Sequence, residues 1–347
     1  MTSGPMAPLQ RVVWDVGAGP PVRSTPPAVP LTLREARRVV RRMARAAERP
    51  TVVLAGVDPL APSDRGLPLS GLVDALTSHG FPTGLALHPM APCTTRSLRA
   101  WAAMGVQHIV LHVDTALDSP LAGIPGMRHT DGATLVYARA VVAAGMRLYA
   151  TTRVTALTAP DLMGIAALLP SLQVSRWDVS FVVPTAAVPR SEPLRAVRLE
   201  RVLAWLGRYA ASAPFPVTTE GAPHFIRHLH PQPDGRTLEP MVRDAQGMLY
   251  ITAGGEVWPG PDLPLSAGNV RQHSPQALYR SAPLFKSLRN AAELGGRCGW
   301  CAWSQVCGGS RARAYALTGD ALAQDPHCAP VIVPVAPGHR GPPQTPP

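Results

Sequence analysis

Between Arg11 and Ala213, short apolar runs rich in β-branched residues alternate with stretches whose apolar positions recur at helical spacing. The runs RVVWDV, TVVLAG, TGLALH, QHIVLHV, RLYATTRV and RWDVSFVV predict six strands. The intervening stretches predict helices that begin near Thr32, Leu69, Thr94, Asp131, Ala159 and Pro193. Thr32 and Glu35 stand at the spacing of a capping box, and Leu33, Ala36, Val39, Val40, Met43 and Ala47 form the apolar stripe that follows. Several strands are nearly all apolar, as expected of a parallel sheet covered by helices on both faces. Six strand-then-helix units define an α/β class. They suit an open, partial (β/α)6 TIM-like barrel better than a closed eight-fold one, with a doubly wound sheet as the alternative. In either arrangement ligands bind beyond the C-terminal ends of the strands.

After Pro214 the pattern changes. Pro and Gly become dense, and GMLYITAGGEVWPG predicts a hairpin turning at Gly254-Gly255. The expected organisation is a flexible N-terminus (1–10), the barrel (11–213), a small C-terminal module (214–330) and a Pro-rich disordered tail (331–347).

The formal net charge of +11 raises the question of nucleic acid. Nearly all of that charge is arginine, Lys286 being the sole lysine, in a chain rich in Arg, Ala, Pro and Gly throughout. The densest basic run, Arg34 to Arg49, reads as the solvated face of the first helix, so no nucleic-acid partner is expected. No apolar run has membrane-spanning length. MTSGPMAPLQ lacks the basic-then-apolar order of a secretion signal, and the expected location is the reducing cytoplasm.

Three of the five cysteines fall within ten positions, and a fourth follows, spaced Cys298-x2-Cys301-x5-Cys307-x20-Cys328. Four thiolates suit one zinc ion or one [4Fe–4S] cluster, with unligated thiols as the bland reading. Three ligands in one loop with a distant fourth lean towards a cubane, which is wider than a single ion. Gly299, Gly308 and Gly309 would let backbone N–H groups approach the sulfurs. The fifth, Cys93, reads as a helix-entry or core thiol.

The segment GRCGWCAWSQVCGGSRARAYALTGDALAQDPHC resembles the C-terminal auxiliary-cluster segment of radical SAM proteins with a SPASM or twitch extension. It is similar to members related to haem-biosynthesis and peptide-maturing enzymes. EVWPGPDLPLSAGNVR and VTTEGAPHF fit the same group, and the six strand-helix units match its partial barrel. The resemblance covers nearly the whole chain. It implies one auxiliary [4Fe–4S] cluster on Cys298, Cys301, Cys307 and Cys328.

Two departures qualify it. The family's radical-generating cluster needs C-x3-C-x2-C after the first strand. Aligned on Trp14, those positions hold Pro20, Ser24 and Pro27, and Cys93 is the sole cysteine of the first half. Proline offers no ligand, and serine is a poor, hard one. The Gly-Gly-Glu-Pro motif that receives the methionine amino group reads Ala55-Gly56-Val57-Asp58-Pro59. Gly56 and Asp58 are therefore the candidate S-adenosylmethionine contacts, without the iron that would chelate that molecule. Asp15, Asp58, Asp114 and Arg153 are expected around the barrel mouth as a polar ligand site. His112, His224, His228 and His230 read as buried or surface histidines, and Glu220 and His224 as structural or pocket residues.

The expected protein is an iron–sulfur protein on a degenerate radical SAM scaffold, binding a peptide, a small molecule or a partner enzyme, or relaying electrons. The alternatives are an active radical SAM oxidoreductase or maturase and a structural zinc protein with four cysteine ligands.

Overall fold

The computed structural model describes residues 6–17, 29–57, 67–87, 94–117, 119–121, 130–184, 193–229 and 242–329. Nine strands form one open, curled sheet in the order β7-β6-β5-β4-β3-β2-β1-β8-β9. Six are those expected from the alternating pattern: β1 (Arg11–Asp15), β2 (Thr51–Val57), β3 (Thr83–Leu87), β4 (Val106–His112), β5 (Arg147–Val154) and β6 (Arg176–Phe181). They pair parallel to their neighbours in sequence. β7 (Val217–Glu220) extends the sheet parallel to β6. β8 (Met248–Ile251) closes on the other side, parallel to β1, and β9 (Val257–Trp258) pairs antiparallel with it as the expected hairpin.

The helices α1 (Leu33–Met43), α2 (Leu69–Ser78), α3 (Thr95–Ala103), α4 (Gly132–Ala143), α5 (Leu162–Leu168) and α6 (Ala196–Ala210) connect the strands. Their starts follow local chemistry. Thr32 Oγ1 accepts the Glu35 amide while Glu35 Oε2 accepts the Thr32 amide at 2.8 Å, completing the capping box. Asp131 caps α4 with a second capping box, and Thr94 caps α3 by accepting the Ser97 amide. Ala36, Val39, Val40 and Met43 of α1 are buried, and Arg34, Arg37, Arg38 and Arg41 are exposed, as the solvated-face reading requires.

The period-two alternation of the strands divides the sheet. Val12, Trp14, Leu54, Ile109, Leu148 and Trp177 belong to the apolar core packed with the helices. The alternate positions, including Arg11, Asp15, His108, Tyr149, Arg176 and Tyr250, line a cavity of ≈ 670 Å³ on the inner face. Helices therefore do not cover both faces equally: curling leaves the inner face to a polar lumen.

The last part of the chain adds α7 (Pro275–Ser281), α8 (Pro283–Arg289), α9 (Gly296–Trp300) and α10 (Arg311–Thr318). Gln276 Nε2 donates to the Met43 carbonyl at the end of α1, and Tyr279 Oη donates to Ala7 O at 2.7 Å while accepting the Gly247 amide. These long-range bonds hold α7 against the barrel. No helix among the described residues is long and apolar enough to cross a membrane.

Candidate functional site

Cys298 lies in α9, Cys301 just beyond its end, Cys307 in the following loop and Cys328 after α10. All four are free thiols, and all four line one cavity with His224, Arg227 and Trp303. The loop reaches this shape through glycine. Gly309 has φ +70°, and a Cβ there would stand 2.8 Å from Asp325 Cβ and 3.1 Å from Cys298 Sγ. A side chain would thus be strained and would fill the space beside the sulfur. Amides turn towards the thiols: Trp303 N lies 3.3 Å from Cys301 Sγ and Asp325 N 3.5 Å from Cys298 Sγ.

Buried cations complete the shell. Arg227 Nη1 is 3.7 Å from Cys328 Sγ, and Arg311 Nη2 is 3.7 Å from Cys298 Sγ. Burial pushes the Cys298 and Cys301 thiols up, and that of Cys307 up to about 12. Burial also opposes ionisation of Cys328, but the His224 hydrogen bond and the charges of His224 and Arg227 outweigh it and hold its pKa below the usual thiol value. Metal ligation requires the thiolate form, so a bound metal would have to displace protons from the other three.

The site fits an anionic thiolate centre. Arg243 Nη1 and Arg227 Nε are buried without a hydrogen-bond partner among the described residues. Orphaned donors around a ring of thiols are what an anionic centre at this place would satisfy. Among the described residues no three His, Cys, Asp or Glu side chains are grouped tightly enough to hold one metal ion.

The loop is anchored by a buried ionic knot. Asp325 accepts Arg313 Nη1 at 3.0 Å and the Ser310 amide at 2.8 Å, and its Oδ2 lies 3.2 Å from His224 Nε2. Arg313 Nη2 continues to the Gly221 carbonyl after β7 at 2.7 Å. His224 therefore belongs to this knot. His228 pairs instead with Glu200 at 2.8 Å, so the two histidines do not meet as ligands.

At the C-terminal end of β1, Asp15 accepts the Gly17 amide at 2.9 Å and Tyr250 Oη at 3.0 Å. Burial raises its pKa against those two bonds. Gly56 ends close by with φ +70°, where a Cβ would meet Asp15 Oδ1 at 2.9 Å. Asp114 Oδ1 accepts the Arg153 amide at 2.7 Å, which joins the ends of β4 and β5. Pro20, Ser24, Pro27, Asp58, Cys93 and His230 lie outside the described residues. Deeper in the lumen, Glu220 pairs with Arg11 at 3.0 Å and Asp178 with Arg176 at 2.7 Å. A further cavity shares Glu220 and Met248 with the lumen and Cys307 and Ser304 with the thiol cavity, so the two sites adjoin.

The structure brings together the four cysteines and the glycine pair that the sequence singled out. Sequence reasoning missed Arg227, Arg243, Arg311, Arg313 and Asp325. The Arg-x-Arg of GGSRARAY, just after the third cysteine, was the available signal, hidden in a chain with arginine everywhere.

No family model matches the chain. It is similar to the AdoMet-dependent heme synthase of Methanosarcina barkeri, 26% identical over 94% of this chain and 97% of that protein. The AdoMet-dependent heme synthase of Nitratidesulfovibrio vulgaris is 27% identical over 81% of this chain and 79% of its own. Among solved structures, Streptococcus suis SuiB bound to S-adenosylmethionine superposes with a TM-score of 0.64 at 16% identity, over 93% of this chain and 77% of that one, a likeness of fold. Similarity to the heme synthases along nearly the full length of the chain supports a radical SAM superfamily protein, and the partial barrel is the fold shared with SuiB.

Proposed function

We propose that the protein carries one [4Fe–4S] cluster on Cys298, Cys301, Cys307 and Cys328 and works without initiating a radical, as a ligand-binding or electron-relaying member of its family. The carrying observation is the convergence of all four C-terminal cysteines on one cavity, set against a first half whose sole cysteine is Cys93. The orphaned arginine donors support an anionic occupant there. A [4Fe–4S] cluster supplies one-electron transfer when bound. The adjoining lumen, with Arg11, Arg176, Asp178 and Glu220 on its wall, suits a polar small molecule or a peptide. Gly56 and Asp58 remain the S-adenosylmethionine contacts of this proposal, and the segment from residue 214 the cluster-bearing module.

Anaerobic purification and reconstitution test the cluster. About four irons per chain are expected, with broad visible absorption that Cys301→Ala abolishes. Stoichiometric zinc without iron would replace this reading with a structural zinc site.

A second reading has a specific observation behind it. Full-length similarity to heme synthases favours an active enzyme of that kind, acting on a haem precursor or a peptide. It requires a radical-generating cluster, for which the sequence offers no cysteine triplet.

A further inference from the structure

The thiol cavity is bordered by more positive charge than its surroundings neutralise. Arg311 is 4% exposed. Besides its contact to Cys298 Sγ, it donates to the carbonyls of Gly309, Ala321 and Ala323. Among the described residues no carboxylate stands within ion-pair distance of it. Arg227 has a carboxylate, Glu200 at 2.7 Å, and turns its other edge to Cys328 Sγ. Arg243 bonds to Gln246 Oε1 and the Gln305 carbonyl. A buried cation without a counter-ion is unfavourable, so the arrangement calls for an anion beside it.

A cubane held by four thiolates is an anion in both redox states, and its reduced form carries one more negative charge. Positive charge and N–H donors at the sulfurs favour the reduced form. Burial keeps solvent and salt from screening the effect. Resting on the cluster assignment proposed above, we infer that Arg227 and Arg311 hold the bound cluster at a raised reduction potential, poised to accept an electron. Both act through the cysteine sulfurs and are positioning residues. Glu200 offsets part of the Arg227 charge, whereas Arg311 acts in full. Arg311 also ties the loop to three carbonyls, so Arg227 is the cleaner position to change.

The experiment is a reductive titration of the anaerobically reconstituted full-length protein with dithionite and redox dyes, with the reduced cluster read by electron paramagnetic resonance. In Arg227→Gln the reduced-to-oxidised ratio at a fixed potential should fall about tenfold, which is about 59 mV for one electron. Arg227→Lys, which keeps the charge, should recover most of that shift. Glu200→Gln, which frees the arginine from its counter-ion, should move the potential upward. Equal potentials in the wild type, Arg227→Gln and Glu200→Gln, all with full iron content, would overturn the inference and leave the cluster assignment standing. If Arg227→Gln does not retain iron, Glu200→Gln decides alone, and an unchanged or lowered potential there overturns the inference. A wild-type protein that takes up no iron would overturn the assignment beneath it instead.

Discussion

The carboxylate of Asp325 lies 3.0 Å from the guanidinium of Arg313, and both side chains are closed to solvent. Burial opposes the charge on Asp325, but Arg313 and His224 hold its carboxyl far below the usual carboxylate range. The pair fixes the segment before Cys328 against α10 and, through Gly221, against the end of β7. Asp325→Asn keeps the shape and removes the charge, leaving Arg313 buried and unpaired. It should destabilise the protein by about 3–5 kcal/mol in denaturant unfolding. It should also lower iron retention, because Cys328 loses its anchor. Unchanged stability would mean that the knot does not hold this loop.

Gly309→Ala tests the cluster loop. The residue has φ +70°, and its Cβ would come within 3.1 Å of Cys298 Sγ. A cost of about 1–3 kcal/mol is expected from the backbone alone. The diagnostic readout is iron content, which should drop well below that of the wild type. Gly319→Ala is the control: its φ is +80° but nothing crowds its Cβ, so it should lose stability while keeping iron.

The reconstituted protein, given dithionite and S-adenosylmethionine, should release no deoxyadenosine above a protein-free control. Pro20, Ser24 and Pro27 occupy the aligned positions where three thiolates are needed, and proline and serine do not substitute for them. Enzyme-dependent release would favour the active heme synthase-like reading.

His108 should make the fold acid-sensitive. It is buried in the lumen wall, stacked on Tyr149 with ring centroids 4.4 Å apart. Burial, followed by the charges of Arg147, Arg11 and Arg176, pushes its pKa down to about 3. An unfolded histidine titrates near 6.5, so between about pH 6.5 and 3 the unfolded chain binds the extra proton. The stability associated with neutral His108 is complete above that window and is lost as pH falls through it. The loss is roughly 2 kcal/mol by pH 5. His108→Phe keeps a ring against Tyr149 and should show a correspondingly flatter stability profile between pH 7 and 5. Parallel profiles for the two proteins would contradict the assignment.

Local patterns were legible because their chemistry is local. Thr32 and Glu35 are three residues apart, and the capping box forms from that spacing. The β-branched runs marked β1 to β6 because strand preference is a property of short stretches, although which of their residues face the core was not read from them. The parallel addition of β8 beside β1 was not legible, because Val12↔Leu249 pairing joins positions far apart in the chain and leaves no periodic trace. The polar lumen was only half visible, since an arginine such as Arg11 looks the same in sequence whether it faces water or Glu220.

The cysteine site divides in the same way. Spacing and the glycine pair named Cys298, Cys301 and Cys307, thiols at short intervals, whereas Cys328 joins them through the buried contacts of Asp325. Which charges surround them depended on tertiary structure alone. Arg227 comes from the turn after β7, Arg243 from the segment before β8 and Arg311 from α10. Only folding brings Arg227 to the thiol cavity and Arg243 and Arg311 to the cavity that adjoins it, and only burial there makes their charge count, since the same arginines in water would be solvated and screened.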